Sequence, residues 1–182
     1  MHGSENLVWV DLEMTGLDPA TCTIVEIASL ITDSNLALVA EGPNLIIHQP
    51  ADVLAQMKPE VVALHKRSGL LSKIPESKTT VAQAETATLE LVKQHCKRGR
   101  ALLCGNSIWK DRQFLERYMP ELAGYLHYRM IDVSSIKELV RRWYGEDRHF
   151  PKKRECHRAL DDIRESIAEL QWYRSQVFVS VE

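Results

Sequence analysis

The chain has 182 residues, 45% of them hydrophobic and 26% charged, with a formal net charge of -2 at pH 7. That length suits one domain with a full core, and this balance of apolar and charged residues excludes a disordered chain. The near-neutral charge does not fit a protein that follows long nucleic acid by its backbone, and no window approaches the roughly 20 apolar residues of a membrane span. Residues 1–6 show no basic segment followed by an apolar one, so no secretory signal is read and a cytoplasmic protein is expected. Cys22, Cys96, Cys104 and Cys156 are scattered, and the histidines lack zinc spacing, so neither a disulfide framework nor a structural zinc site is expected.

The first predicted strand is Leu7-Val8-Trp9-Val10-Asp11-Leu12-Glu13-Met14, followed by the turn Thr15-Gly16-Leu17. Alternate side chains of a strand share a face, so Asp11 and Glu13 point one way while Val8, Val10 and Leu12 pack on the other. Two adjacent carboxylates on an apolar strand repel each other and resist desolvation, and bound divalent cations would relieve both problems. The same pattern also fits a strand that frays into solvent. Residues 24–33 read as a second strand, in which Glu26 breaks the apolar pattern and is read as a hydrogen-bond partner rather than a ligand. Residues 36–49 form a third strand with Gly42-Pro43 marking a bulge or bend, which gives an antiparallel meander.

Residues 52–71 turn helical, with Pro59 at a helix start, and 79–97 form a long amphipathic helix opened by Thr79-Thr80. Residues 101–104 suit a buried strand. Gly105-Asn106-Ser107 then turns into a helix over about 109–118, with Asp111 in its first turn, where the helix dipole favours a carboxylate. A strand over 127–133 ends in Asp132, and Ser134 or Ser135 caps a helix to about 143. Residues 145–155 read as a basic, mobile loop, and a last helix starts near Cys156 or His157 and runs to about 173. With no repeat or linker, residues 1–182 form one domain. The order predicts an α/β fold: a mixed sheet of three antiparallel strands followed by parallel additions, flanked by helices. Sites in such sheets lie at strand ends near a topological switch, where Asp11, Glu13 and the turn before Asp111 fall.

Three motifs, Asp11-x-Glu13-x-Thr15-Gly16, Asn106-Ser107-x-x-x-Asp111 and His157-x-x-x-x-Asp162, resemble in order and spacing the DEDDh exonucleases. These are ribonuclease H-like 3′→5′ exonucleases that use two metals. Within that superfamily the segments 9–17, 105–108, 127–135 and 157–163 look most like a branch that removes mononucleotides from very short RNAs, down to dinucleotides, as a homodimer. Carboxylate and water ligands suit paired Mg²⁺ or Mn²⁺ ions in phosphodiester cleavage, whereas zinc would call for Cys or His clusters. Asp11 is the candidate bridge, with Glu13 and Asp162 completing one site and Asp111 holding the second. His157 is the candidate general base on the attacking water.

Five helical residues rotate by about 140°, so His157 and Asp162 cannot share a helix face, and His157 must sit at or before the helix start. Periodicity does not separate Asp161 from Asp162; the family spacing picks Asp162. The resemblance further implies that Leu17 wedges between the two bases and that His65 contacts the substrate near its 3′ end. It assigns Ser107, Arg129 and Ser134 to the 5′ phosphate, with Tyr128 supplied by the neighbouring subunit. Taken alone, these residues read as a turn-packing Leu, a structural His, two helix caps, a surface Arg and an interface Tyr. The chain departs from the family at Glu60, Val61 and Val62, where members can place a Trp for base stacking. Two other readings are a proofreading-type exonuclease acting on single-stranded DNA through the same metal site, and a non-catalytic binding module. The module would have no need of Asp11, Glu13, Asp111, His157 and Asp162 together.

Overall fold

The computed structural model describes residues 6–145, 150–151 and 157–179, so most of the basic loop expected at 145–155 lies outside the described residues. Strands β1 (Leu7–Met14), β2 (Ile24–Thr32), β3 (Leu38–Ile46), β4 (Leu102–Gly105) and β5 (Met130–Asp132) form one sheet in the order β3-β2-β1-β4-β5. β1 pairs antiparallel with β2 and β2 with β3, whereas β4 joins β1 in parallel and β5 joins β4 in parallel. This is the expected meander with parallel additions.

β1 is buried because its two faces feed separate cores. Val8, Val10 and Leu12 pack with residues of α3 (Val81–His95), α4 (Ile108–Tyr118) and α5 (Pro120–Tyr125), among them Val92, Phe114, Leu115 and Leu122. Leu7 and Trp9 pack on the opposite face against α6 (Val133–Tyr144) and α7 (Ala159–Gln176), through Val133, Ile163 and Tyr173. The indole N–H of fully buried Trp9 donates to Thr32 Oγ1 at 3.0 Å, so this large side chain leaves no polar atom unsatisfied. The β2–β3 register gains a residue where Ala28 faces Asn44 but Leu30 faces Glu41, the bulge expected at Gly42-Pro43. A Cβ at Gly42 would stand 2.3 Å from Ser29 Oγ and 2.4 Å from Leu91 Cδ2, so only glycine fits there.

Several boundaries differ from expectation: α7 begins at Ala159 rather than near Cys156 or His157 and runs on to Gln176, and four further differences have a local reason. The helix expected over 52–71 divides into α1 (Ala51–Leu54) and α2 (Pro59–Arg67), because Pro59 holds Lys58 extended at ψ 150. α5 was not expected; Pro120 starts it directly after Met119. The strand expected over 127–133 shortens because the Arg129 backbone N–H is taken by His127 Nδ1 at 2.9 Å, a local bond that competes with the ladder. α6 is capped by Asp132, whose Oδ1 accepts from the Ser134 backbone N–H at 2.9 Å, rather than by Ser134 or Ser135.

At the other cap, Thr80 accepts from the Gln83 N–H while Gln83 Oε1 accepts from the Thr80 N–H, closing a capping box on α3. Thr80→Ala removes half of that box and is expected to cost about 1 kcal/mol. In a domain of this size the melting midpoint should fall by about 2–4 °C in a thermal denaturation, and an unchanged midpoint would show that the box contributes nothing.

Candidate active site

The site forms where β1 and β4 end and α4 and α7 begin. Asp11 and Glu13 follow Trp9 on the β1 face that looks toward α7, and Asp162 lies in the first turn of that helix. Carboxyl oxygens of Asp11, Glu13 and Asp162 all lie within 4.8 Å of one another. β4 stops pairing with β1 at Trp9–Cys104, which leaves the Leu12 N–H without a ladder partner on that side. The buried Asp111 takes it: Oδ1 accepts from the Leu12 N–H at 3.0 Å, and this ties α4 to the strand that bears the other carboxylates. A Cβ at Gly105 would stand 3.1 Å from the Val10 carbonyl oxygen, so the chain can turn from β4 toward α4 only by close backbone approach. Asp161 is exposed and pairs with Arg164 at 3.7 Å, so the structure itself separates it from Asp162.

Burial and mutual repulsion dominate the electrostatics. Burial, then Asp111, Asp162, Glu13 and Glu26, push Asp11 well above the usual carboxylate range. Burial, then Asp162, Glu26 and Asp111, raise Glu13 from 4.5 to about 8, against a lowering by Arg158. Burial raises Asp111 to about 7, against the Leu12 hydrogen bond. A cluster of buried oxygens that resists ionisation lacks positive charge, and the absence of sulfur or imidazole from it suits a hard divalent cation. The cluster is compatible with divalent-metal binding.

The remaining expected residues are spread over the β1–β2 turn, α2 and the entries to α4, β5, α6 and α7. His157 lies two residues before α7, outside the helix as the spacing required, with a left-handed backbone at φ 48. His65 is only 1% exposed; its Nε2 donates to the Met14 carbonyl at 2.8 Å, and its Nδ1 lies 3.7 Å from Glu13 Oε2 without a hydrogen-bond partner. Burial lowers its pKa. Leu17 is 70% exposed and overhangs an open cleft of about 680 Å³, whose walls include Gln56, Lys58, Glu60 and Val61. Ser107, also left-handed at φ 51, donates its N–H to Asp132 Oδ1 at 3.0 Å and to Ser134 Oγ at 2.9 Å. Ser134 Oγ in turn donates to Asn106 Oδ1 at 3.1 Å. Arg129 and Tyr128 stand exposed together, the guanidinium 5.4 Å from the ring centroid.

Two participants were missed in the sequence. Asp132 read only as a strand end, yet it holds the Ser107 and Ser134 backbone together; the Asp-x-Ser pattern before a helix carried that signal. Glu26 was read as a hydrogen-bond partner, but its partner, Arg158, was not identified. Arg158 grips it through Nε at 3.1 Å to both oxygens and Nη2 at 2.7 Å to Oε1.

The sheet order and the carboxylate site define a nuclease domain of the exonuclease class, and a family profile described as Exonuclease matches residues 8–170. Oligoribonuclease of Dichelobacter nodosus is 48% identical over 180 residues, covering 99% of each chain. That of Marinobacter nauticus is 50% identical over 178 residues, 98% of this chain and 99% of that one. The human mitochondrial oligoribonuclease is 52% identical over 176 residues, 96% of this chain and 74% of that protein. The chain belongs to the oligoribonuclease family.

Among solved structures, the zinc-bound complex of E. coli exonuclease I with single-stranded DNA superposes with a TM-score of 0.73 at 14% identity, covering 96% of this chain. Exonuclease I of Methylocaldum szegediense gives 0.69 at 20% identity over 94% of this chain. This chain spans only 41% of each of those, and the likeness establishes the ribonuclease H-like fold alone.

The raised carboxylates make the metal-free protein sensitive to pH. The folded state holds the Glu13 proton more tightly than the unfolded chain, so stability falls as pH rises from 4.5 toward about 8. Thermal denaturation in chelator across this window should show that decline, a shallower one in Glu13→Gln, and recovery at pH 8 on adding a divalent cation. Equal slopes in the wild type and Glu13→Gln would refute the account.

Proposed function

We propose that the enzyme hydrolyses very short RNAs, down to dinucleotides, from the 3′ end to 5′-mononucleotides. Identity near 50% over nearly the whole chain to proteins named oligoribonuclease supports the substrate class. The observation that carries the chemistry is the convergence of Asp11, Glu13 and Asp162 within 4.8 Å beside the Leu12-bound Asp111. Asp11, Glu13 and Asp162 would hold one divalent cation and Asp111, with Asp11, a second, as Mg²⁺ or Mn²⁺. Bound there, the ions supply Lewis-acid stabilisation of charge on the scissile phosphate.

The chain's own residues do the rest. His157 takes the proton from the attacking water as general base. Leu17 parts the two bases above the cleft, where Glu60 and Val61 provide a polar and aliphatic wall rather than an aromatic one. His65 meets the 3′ end from beside Glu13, with Nδ1 still lacking a partner. Ser107, Ser134 and Arg129 receive the 5′ phosphate through hydroxyl and guanidinium donors. Tyr128 completes that end across a homodimer interface. The exposure of Tyr128 (71%), and of Leu139 (42%) and Trp143 (71%) one turn apart on α6, supports such an interface. A reducing compartment such as the cytoplasm suits the free thiols of Cys22, Cys96 and Cys104. Among the described residues no helix is long and apolar enough to cross a membrane.

A ladder of 5′-phosphorylated RNAs from two nucleotides upward, with Mg²⁺ or Mn²⁺, tests this reading. The dinucleotide should be the fastest substrate, Asp11→Ala should abolish turnover, and Tyr128→Ala should lower it. Degradation of long single-stranded DNA as readily as the dinucleotide would favour the proofreading-type alternative and overturn the proposal.

A further inference from the structure

Glu26 is an unexpected neighbour for a metal site. It is 0% exposed and stands directly across the β1–β2 ladder from Glu13, adding negative charge where the carboxylates already repel one another. Metal-binding geometry does not account for it, since the ligand cluster comprises Asp11, Glu13 and Asp162. Stability does not account for it either, because a buried ion pair is commonly no more stabilising than the apolar residues that would replace it.

What Glu26 holds explains its presence. Its carboxylate accepts a fork from Arg158, Nε at 3.1 Å to each oxygen and Nη2 at 2.7 Å to Oε1, and the Ala159 backbone N–H lies 3.5 Å from Oε2. Arg158 occupies the N-cap position of α7 and supplies no side-chain cap of its own, so Glu26 serves that helix end from the neighbouring strand. The Arg158 carbonyl accepts from the Asp162 N–H at 3.0 Å, the first helical bond of α7. His157, one residue earlier, keeps a left-handed backbone that costs energy for any residue with a Cβ. A fixed anchor at the next residue sustains it.

We infer that Glu26 and Arg158 are positioning residues that lock the His157 backbone to the sheet, so that the base stands in register with the ligands on β1 and α7. The inference rests on the reading of His157 as general base. Arg158 is the only residue between that base and the helix, and its side chain is tied to the strand that neighbours Asp11 and Glu13. A fork of this kind fixes direction as well as distance, which a lysine at the same place would not.

The test is a double-mutant cycle. Glu26→Gln and Arg158→Lys should each keep KM for a 5′-phosphorylated dinucleotide and Mn²⁺ affinity within about threefold of wild type while lowering kcat by about tenfold or more. In a His157→Ala background the same substitutions should lower kcat by less than about threefold, because the group they position is gone. A helix anchor with no bearing on the base would instead give losses that multiply in full with His157→Ala, and this would overturn the inference. Loss of Mn²⁺ binding in Glu26→Gln would also overturn it, by making Glu26 a ligand. If Glu26→Gln fails to fold, Arg158→Lys, which alters the more exposed partner, carries the same comparison. Failure of the base reading appears in His157→Ala alone, as an unchanged kcat. Failure of the positioning role appears when His157→Ala is impaired and Glu26→Gln and Arg158→Lys are silent or fully multiplicative.

Discussion

Asp11, Glu13 and Asp162 are held with carboxyl oxygens inside 4.8 Å in a largely buried environment, and Asp111 joins them through the Leu12 amide. Such groups separate, protonate or find a cation unless something forces them together. Here the force is packing on both faces of β1. Val8, Val10 and Leu12 enter one core and Leu7 and Trp9 the other, so the strand cannot retreat from either layer. Burial of each large apolar side chain stabilises by about 1.5–3 kcal/mol, and α4 and α7 each contribute several. The hydrophobic layers thus hold in place a site that its own charges oppose.

Each element bearing a carboxylate is pinned near that carboxylate. The Leu12 N–H fixes Asp111 where β4 has ended, and the Met14 carbonyl receives His65 at the β1 bulge beside Glu13. Arg158 neutralises Glu26 and partly offsets Glu13. What remains is a concentration of oxygen ligands that favours hard cations and, through them, a phosphate. On the far side, Asp132 joins the α4 and α6 entries by accepting from the Ser107 and Ser134 amides, so the residues proposed to receive a 5′ phosphate are organised by a carboxylate that faces backbone rather than substrate.

Much of this was legible in the residues. Period-two alternation placed Asp11 and Glu13 on one face, Gly42-Pro43 marked its bulge, and the rotation between His157 and Asp162 put the histidine outside the helix. Local chemistry hid other features. The break at Lys58–Pro59 and the short α5 depend on single prolines within apolar runs that read equally well as longer or absent helices. The shortened β5 depends on a His127 side chain competing for a backbone amide. The choice of Asp162 over Asp161 came from resemblance, since both lie in the first turn; only the tertiary contact with β1 separates them. The partner of Glu26 lies 132 positions away, a distance no local pattern bridges.

The fold holds protonated or strongly repelling carboxylates ready for cations, and proton release on metal binding measures this directly. Calorimetric titration of Mn²⁺ into metal-free protein at pH 7, repeated in buffers of different ionisation enthalpy, counts the protons displaced. With Glu13 raised to about 8 and Asp111 to about 7, about one or more protons per chain should leave as the ions bind. Heats that do not depend on the buffer would mean that the carboxylates are already ionised and unstrained, and would contradict the account.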